Sequence, residues 1–206
     1  MKAQQDRLPR RMPRSPRKLF LALLAVLAVF ALSACGNEDT RVTTGTYAGE
    51  SGKNAPYLNV GPLIYEVQLS RELNPYGAED EPYLQGLTPA QRKLEYGQEW
   101  FAVFIQVYNE TDRTHLASDN FNVSDTQSNI YYPIVPAATN PFAYRGGLLA
   151  GNSRIPALGS IAADGPSQGA LLLFKIQIVS LDNRPLKIHI VDPLNPTQTA
   201  SAELDV

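Results

Sequence analysis

Two stretches of the chain are apolar at nearly every position rather than at every other one: Trp100 to Tyr108 (Trp-Phe-Ala-Val-Phe-Ile-Gln-Val-Tyr) and Ala170 to Val179, in which Lys175 and Gln177 mark the wetter face. Runs this short and rich in β-branched and aromatic residues are the pattern of central strands. Around them the period is two. Leu63, Tyr65, Val67 and Leu69 alternate with Ile64, Glu66, Gln68 and Ser70, which predicts a strand with one wet face. Phe121 and Val123 alternate with Asn122 and Ser124, Leu186, Ile188 and Ile190 with Lys187, His189 and Val191, and Asn129–Val135 and Ala200–Val206 add two further segments. Helix signals are few. Thr88-Pro89-Ala90-Gln91 has an N-cap threonine and proline at the first helical position, enough for one or two turns. Short strands separated by turn clusters, without βαβ alternation, predict an all-β, immunoglobulin-like antiparallel β-sandwich with one short helix. The irregular stretches are 74–86 and 136–169, and loops that long carry function or move.

Charge divides the chain. Residues 1–34 hold seven of the 18 basic residues and one of the 20 acidic ones, so that Cys35 onward carries a net charge of about −8. A net-acidic body lacks the basic face that phosphate contact needs, so no nucleic-acid partner is expected. One cysteine excludes an intrachain disulfide and a Cys-rich zinc site.

The basic segment before residue 19 is broken by Pro9, Pro13 and Pro16 and followed by the apolar run Leu19–Leu32. As helix that run spans roughly 21 Å, short of a hydrocarbon core of about 30 Å. A basic start, a short apolar run and then small residues make 1–34 a secretory signal peptide. The cleavage region Leu32-Ser33-Ala34-Cys35-Gly36 resembles the lipobox of bacterial lipoproteins. The resemblance implies that Leu32, Ser33 and Ala34 are read by signal peptidase II, and that the Cys35 thiol receives diacylglycerol. Acyl chains such as palmitate would then anchor the protein to the outer face of the cytoplasmic membrane. Residues 35–56 are dominated by Gly, Thr, Asn, Ser and charge, with Val42 and Tyr47 the only sizeable apolar groups. They read as a flexible tether, with Val42–Tyr47 as an alternative edge strand. The folded domain is expected over 57–206.

Three motifs point further. Val107, Asn109, Thr111 and Asp112 form a V-x-N-x-T-D strand end; Phe121, Val123 and Asp125 follow as F-x-V-x-D, and Tyr131 and Pro133 as Y-x-P. The order resembles the immunoglobulin-like, telokin-like domain of secreted and lipid-anchored actinobacterial proteins, many of unknown function. The glycine usual before the Tyr-x-Pro strand is replaced by Ser128 or Asn129. These are turn and core signatures, and the family has no catalytic residues to carry over.

Catalytic groupings are not found in the sequence. Ser153 lacks a nucleophile-elbow frame, and His115 and His189 are scattered without zinc spacing. Glu79-Asp80-Glu81 lacks the alternation of a calcium loop, and Asp112, Asp119 and Asp125 read as turn formers. No enzyme and no cofactor is expected. Aromatic residues crowd the irregular segments, and in Pro141–Leu149 the residues Phe142, Tyr144 and Arg145 are the candidate exposed contact site for a partner. The sequence thus describes a lipid-anchored envelope module contacting an unidentified envelope protein, or a binder of a small or lipidic ligand held between the sheets. Intact-mass spectrometry of protein purified from membranes is expected to show a chain that starts at Cys35 and carries acyl mass; Cys35→Ala should remove both features.

Overall fold

The computed structural model describes residues 41–48 and 57–204. Residues 1–34, the lipidation positions Leu32, Ser33, Ala34 and Cys35, and 49–56 lie outside the described residues. Among the described residues no helix is long and apolar enough to cross a membrane.

The strand β4 (Gln98–Asn109) runs through the middle of the domain. Phe101, Val103, Ile105 and Val107 face one side, Trp100, Ala102 and Phe104 the other, and none of them is more than 1% exposed. It pairs antiparallel with β3 (Leu63–Leu73) on one flank and β10 (Ala170–Gln177) on the other. Beyond β3 lies β2 (Tyr57–Val60), and the three-residue β9 (Ser153–Ile155) pairs with the end of β4. A second sheet has the order β1 (Val42–Ala48), β12 (Thr199–Leu204), β11 (Leu186–Val191), β6 (Phe121–Ser124), β7 (Ile130–Tyr131). A short ladder joins β5 (His115–Ala117) to β8 (Gly147–Leu149). The molecule is the all-β sandwich that the strand pattern predicts.

Two cores explain the doubly apolar strands. Between the sheets, Tyr65, Phe101, Phe121, Leu172, Phe174, Ile188 and Ile190 share one core. On the outer face of the β4 sheet, Trp100, Phe104, Leu171 and Leu173 meet Tyr83, Leu84 and Leu87 in a second. That second layer comes from the segment holding a 3₁₀ turn (Glu81–Leu84) and helix α1 (Pro89–Arg92). The predicted helix start at Thr88 is present as a full capping box with Gln91. A second single-turn helix, α2 (Ile161–Asp164), capped by the Ser160 side chain, corrects the expectation of one helix.

The expectation of a wet face on β3 fails. Glu66, Gln68 and Ser70 are all buried, and the Glu66 carboxylate accepts the Tyr108 hydroxyl at 2.9 Å. A bulge between Val67 and Leu69 then reverses the parity: Leu63, Tyr65 and Val67 enter the inter-sheet core, whereas Leu69 and Leu73 join the outer one. The tether reading is corrected as well. Val42–Ala48 is strand β1, paired parallel to β12, so the sandwich is not wholly antiparallel. The β-branched Val42, Thr43 and Thr44 suit a sheet edge, and the Thr43 hydroxyl donates to the Asn59 carbonyl at 3.1 Å.

The motif residues build turns. Asn109 Nδ2 donates to the carbonyls of Arg113, Leu149 and Ala150, and its Oδ1 accepts from the Thr111 amide and hydroxyl. Asp125 accepts from the amides of Gln127 and Asn129 and from the Ser180 hydroxyl. Burial opposes its charge, yet these donors and the Asn129 and Asn183 side chains hold its carboxyl at about 2. Ser128, not Asn129, takes the left-handed position usually given to glycine, with φ 67°. Phe101→Ala and Phe104→Ala, one per core, should each destabilise the domain by about 3–5 kcal/mol in urea denaturation.

Candidate functional site

The free edge of β10 carries no full strand. Instead two bridges stitch residues 132–146 to it. The Ile134 amide donates to the Leu173 carbonyl at 2.7 Å; further along, the Tyr144 amide donates to Leu171, and Leu171 to Phe142. Between these attachments the sandwich stays open as a cleft of about 410 Å³. Its floor is apolar: Phe121 from the second sheet, Leu171 and Leu172 from β10, and Tyr144. Pro133, Ile134, Val135 and Pro136 form one rim, and Asp119, Arg145 and Gly146 the polar mouth.

Each of these groups is held from behind. The Tyr144 ring meets Phe121 edge-on at 5.1 Å, and its hydroxyl donates to the buried Ser118 carbonyl at 2.7 Å. Burial, with Tyr65 and Asp119 nearby, drives that phenol far above its ordinary pKa. Tyr65 accepts the Ser118 amide and is itself pushed up to about 12, burial being the main cause. Asn140, 3% exposed, donates to the carbonyls of Tyr83 and Gln85 and accepts the amides of Phe142 and Ala143, fixing the loop to the outer layer. At the mouth, Arg145 Nη2 donates to the Pro136 and Ala137 carbonyls and so straps the rim. The Gly146 amide donates to Asp119; a Cβ on Gly146 would lie 2.1 Å from that oxygen, so a larger residue would push the Asp119 carboxylate aside.

The predicted contact trio is therefore divided. Arg145 is exposed at the mouth. Tyr144 is 6% exposed and belongs to the inter-sheet core, which corrects its assignment as an exposed anchor. Phe142 is half-buried on the opposite side of the loop, 4.8 Å from the Tyr83 ring, and packs on the outer core. Two residues apart, the pair would share one face of a regular strand; the loop meets β10 here only through the bridge at Ala143, and the two rings enter different cores. The sequence marks Phe121 and Leu172 as strand residues and not as part of a site, and Asn140 is marked only by standing before Pro141.

Other candidates are placed as follows. Asp80 is buried and ion-paired with Arg71, between exposed Glu79 and Glu81. His189 Nε2 is 2.8 Å from Ser124 Oγ on the outer face of the second sheet, and burial, aided by Lys187, keeps the imidazole below its ordinary pKa. Among the described residues no group of three His, Cys, Asp or Glu side chains is placed to hold a metal ion.

No protein family and no curated protein matches the chain. Among solved structures it is similar to the yjhA protein of Bacillus subtilis (11% identity, 76% of this chain and 99% of that one, TM-score 0.49). It is also similar to ycdA of Bacillus subtilis, provisionally described as a lipoprotein (8% identity, 75% of this chain and 39% of that one, TM-score 0.44). A third is an uncharacterized β-sandwich protein of Clostridium difficile (10% identity, 79% and 96% coverage, TM-score 0.39). Of ycdA the chain thus spans well under half the length.

The placement of the trio separates their substitutions. Tyr144→Phe should cost about 1 kcal/mol, through the hydrogen bond lost at Ser118, and Tyr144→Ala about 3–5 kcal/mol. Arg145→Ala should cost about 1 kcal/mol, through the strap to Pro136 and Ala137, all three read by thermal and urea unfolding.

Proposed function

We propose that the chain is a lipid-anchored binding module of the cell envelope, non-catalytic, held through Cys35 on the outer face of the cytoplasmic membrane. Its contact site is the inter-sheet cleft. The observation that carries this reading is the cleft itself: an apolar floor continuous with the core, left open behind a mouth bearing Arg145 and Asp119. Such a site accepts an apolar group whose polar end stays in the mouth.

The strand register supports a membrane-facing cleft. Phe121 pairs with Ile190, Ile190 with Ala200 and Ala200 with Thr43, so the cleft floor lies level with the entry of β1. Only six residues lie between Cys35 and Val42, and the seven Cα-to-Cα steps reach at most about 25 Å. An anchored domain would hold this end, and the cleft with it, toward the lipid. Apolar side chains of a membrane-proximal envelope protein fit the site. A second reading, a small or lipidic ligand, is favoured by the depth of the floor, since Phe121, Leu171 and Leu172 are each 4% exposed or less.

Val135→Asp combined with Arg145→Ala tests the cleft, because both residues are exposed on its rim. In-cell photocrosslinking from position 133, on the same rim, should trap one envelope partner, and the double variant should lose it while remaining folded. Native mass spectrometry that finds a lipid released from the wild-type protein, and not from the variant, would establish the second reading instead. Neither adduct forming would reject the cleft as the contact site.

A further inference from the structure

A second cavity, of about 430 Å³, lies where β9 meets the end of β4. Its wall includes Arg154 from β9, Glu110 from the turn after β4, the Tyr108 ring and the apolar pair Ala157 and Leu158. Arg154 is half-buried, and groups of the protein among the described residues meet little of its hydrogen-bonding capacity. Its Nε is closed off from solvent and has no acceptor, and Nη1 reaches only Gln106 Oε1, at 3.5 Å.

The nearby acceptors are engaged elsewhere. Gln106 Oε1 takes the Tyr108 hydroxyl, while its Nε2 donates to the Gln168 carbonyl. The buried Glu66 carboxylate is 2.9 Å from the same Tyr108 hydroxyl, and among the described residues Arg154 has no ion-pair partner. Across the mouth Glu110 is exposed, and no hydrogen bond or ion pair engages it among the described residues.

The cavity therefore presents one unmet cation, one unmet anion and an apolar wall. A simple anion would meet Glu110 at the mouth and Glu66 behind, and a simple cation would meet Arg154. A molecule carrying both charges satisfies each side. We propose that this cavity binds a small amphipathic zwitterion, an apolar α-amino acid or short peptide. Its carboxylate pairs with Arg154, its ammonium with Glu110, and its side chain lies against Ala157 and Leu158.

Isothermal titration calorimetry on the purified full chain tests this, with leucyl-leucine as the probe and acetate and butylammonium as single-charge controls. The dipeptide should bind saturably and the controls should not. Arg154→Gln and Glu110→Gln should each weaken binding by about tenfold or more, the effect of losing one charge-assisted hydrogen bond. Arg145→Ala, in the other cleft, should leave it unchanged. Because Glu110 is exposed, Glu110→Gln carries the test even if Arg154→Gln fails to fold. No saturable heat up to about 10 mM, equal binding of acetate alone, or undiminished binding to Glu110→Gln would each overturn the proposal.

Discussion

Burial of β4 on both faces is the constraint from which the rest of the architecture follows. A strand with Phe101, Val103 and Ile105 on one side and Trp100, Ala102 and Phe104 on the other cannot belong to a simple two-layer sandwich with a wet exterior. It requires a third layer. Burying one such aromatic side chain contributes about 1.5–3 kcal/mol, so an uncovered outer face would forfeit several of these contributions. The chain supplies the cover from irregular segments rather than from another sheet. Tyr83 meets Phe104 at 5.0 Å and Phe142 at 4.8 Å, both edge-on, and Lys175 lies over the Trp100 ring. The long loops are thus structural on their inner side, and the clefts arise where they stop short of closing the edges.

Polar side chains decide where those loops can run. Asn109, Asp125 and Asn140 each collect several backbone groups that no strand satisfies, and all three are buried. Asn140 joins the rim of the inter-sheet cleft to the outer layer, so the cleft inherits its shape from the same packing that covers β4. Arg145 and Arg154 contrast with one another. The first finds two carbonyls and serves as a strap; the second is positioned without matching acceptors.

The features legible in the sequence were those written in local pattern. β4 and β10 followed from unbroken apolar runs, β6 and β11 from alternation, and α1 from Thr88 and Pro89. Three features were legible only in part or not at all, each for a physical reason. β1 was legible only as the alternative to a tether, because its composition is polar and it takes its order from the open edge of β12, a partner some 150 residues away in the chain. The parity switch in β3 depends on one bulged residue, Gln68, whose neighbours give no sign of it. Tyr144 and Phe142 look alike as loop aromatic residues, and only the bridge to β10 sends one into each core. The Arg154 cavity lay beyond reach for the same reason, since it is assembled from the ends of β4 and β9 and the loop that follows.

The parallel pairing of β1 with β12 has a mechanical side. A pull on the chain ahead of Val42 acts along the strand axis, across a ladder running from Val42–Thr199 to Ala48–Leu204. The load is then shared by the hydrogen bonds in shear, instead of opening them singly as at the end of a hairpin. The first strand of the fold is a clasp oriented to bear tension from the side of the chain where the acyl attachment would be.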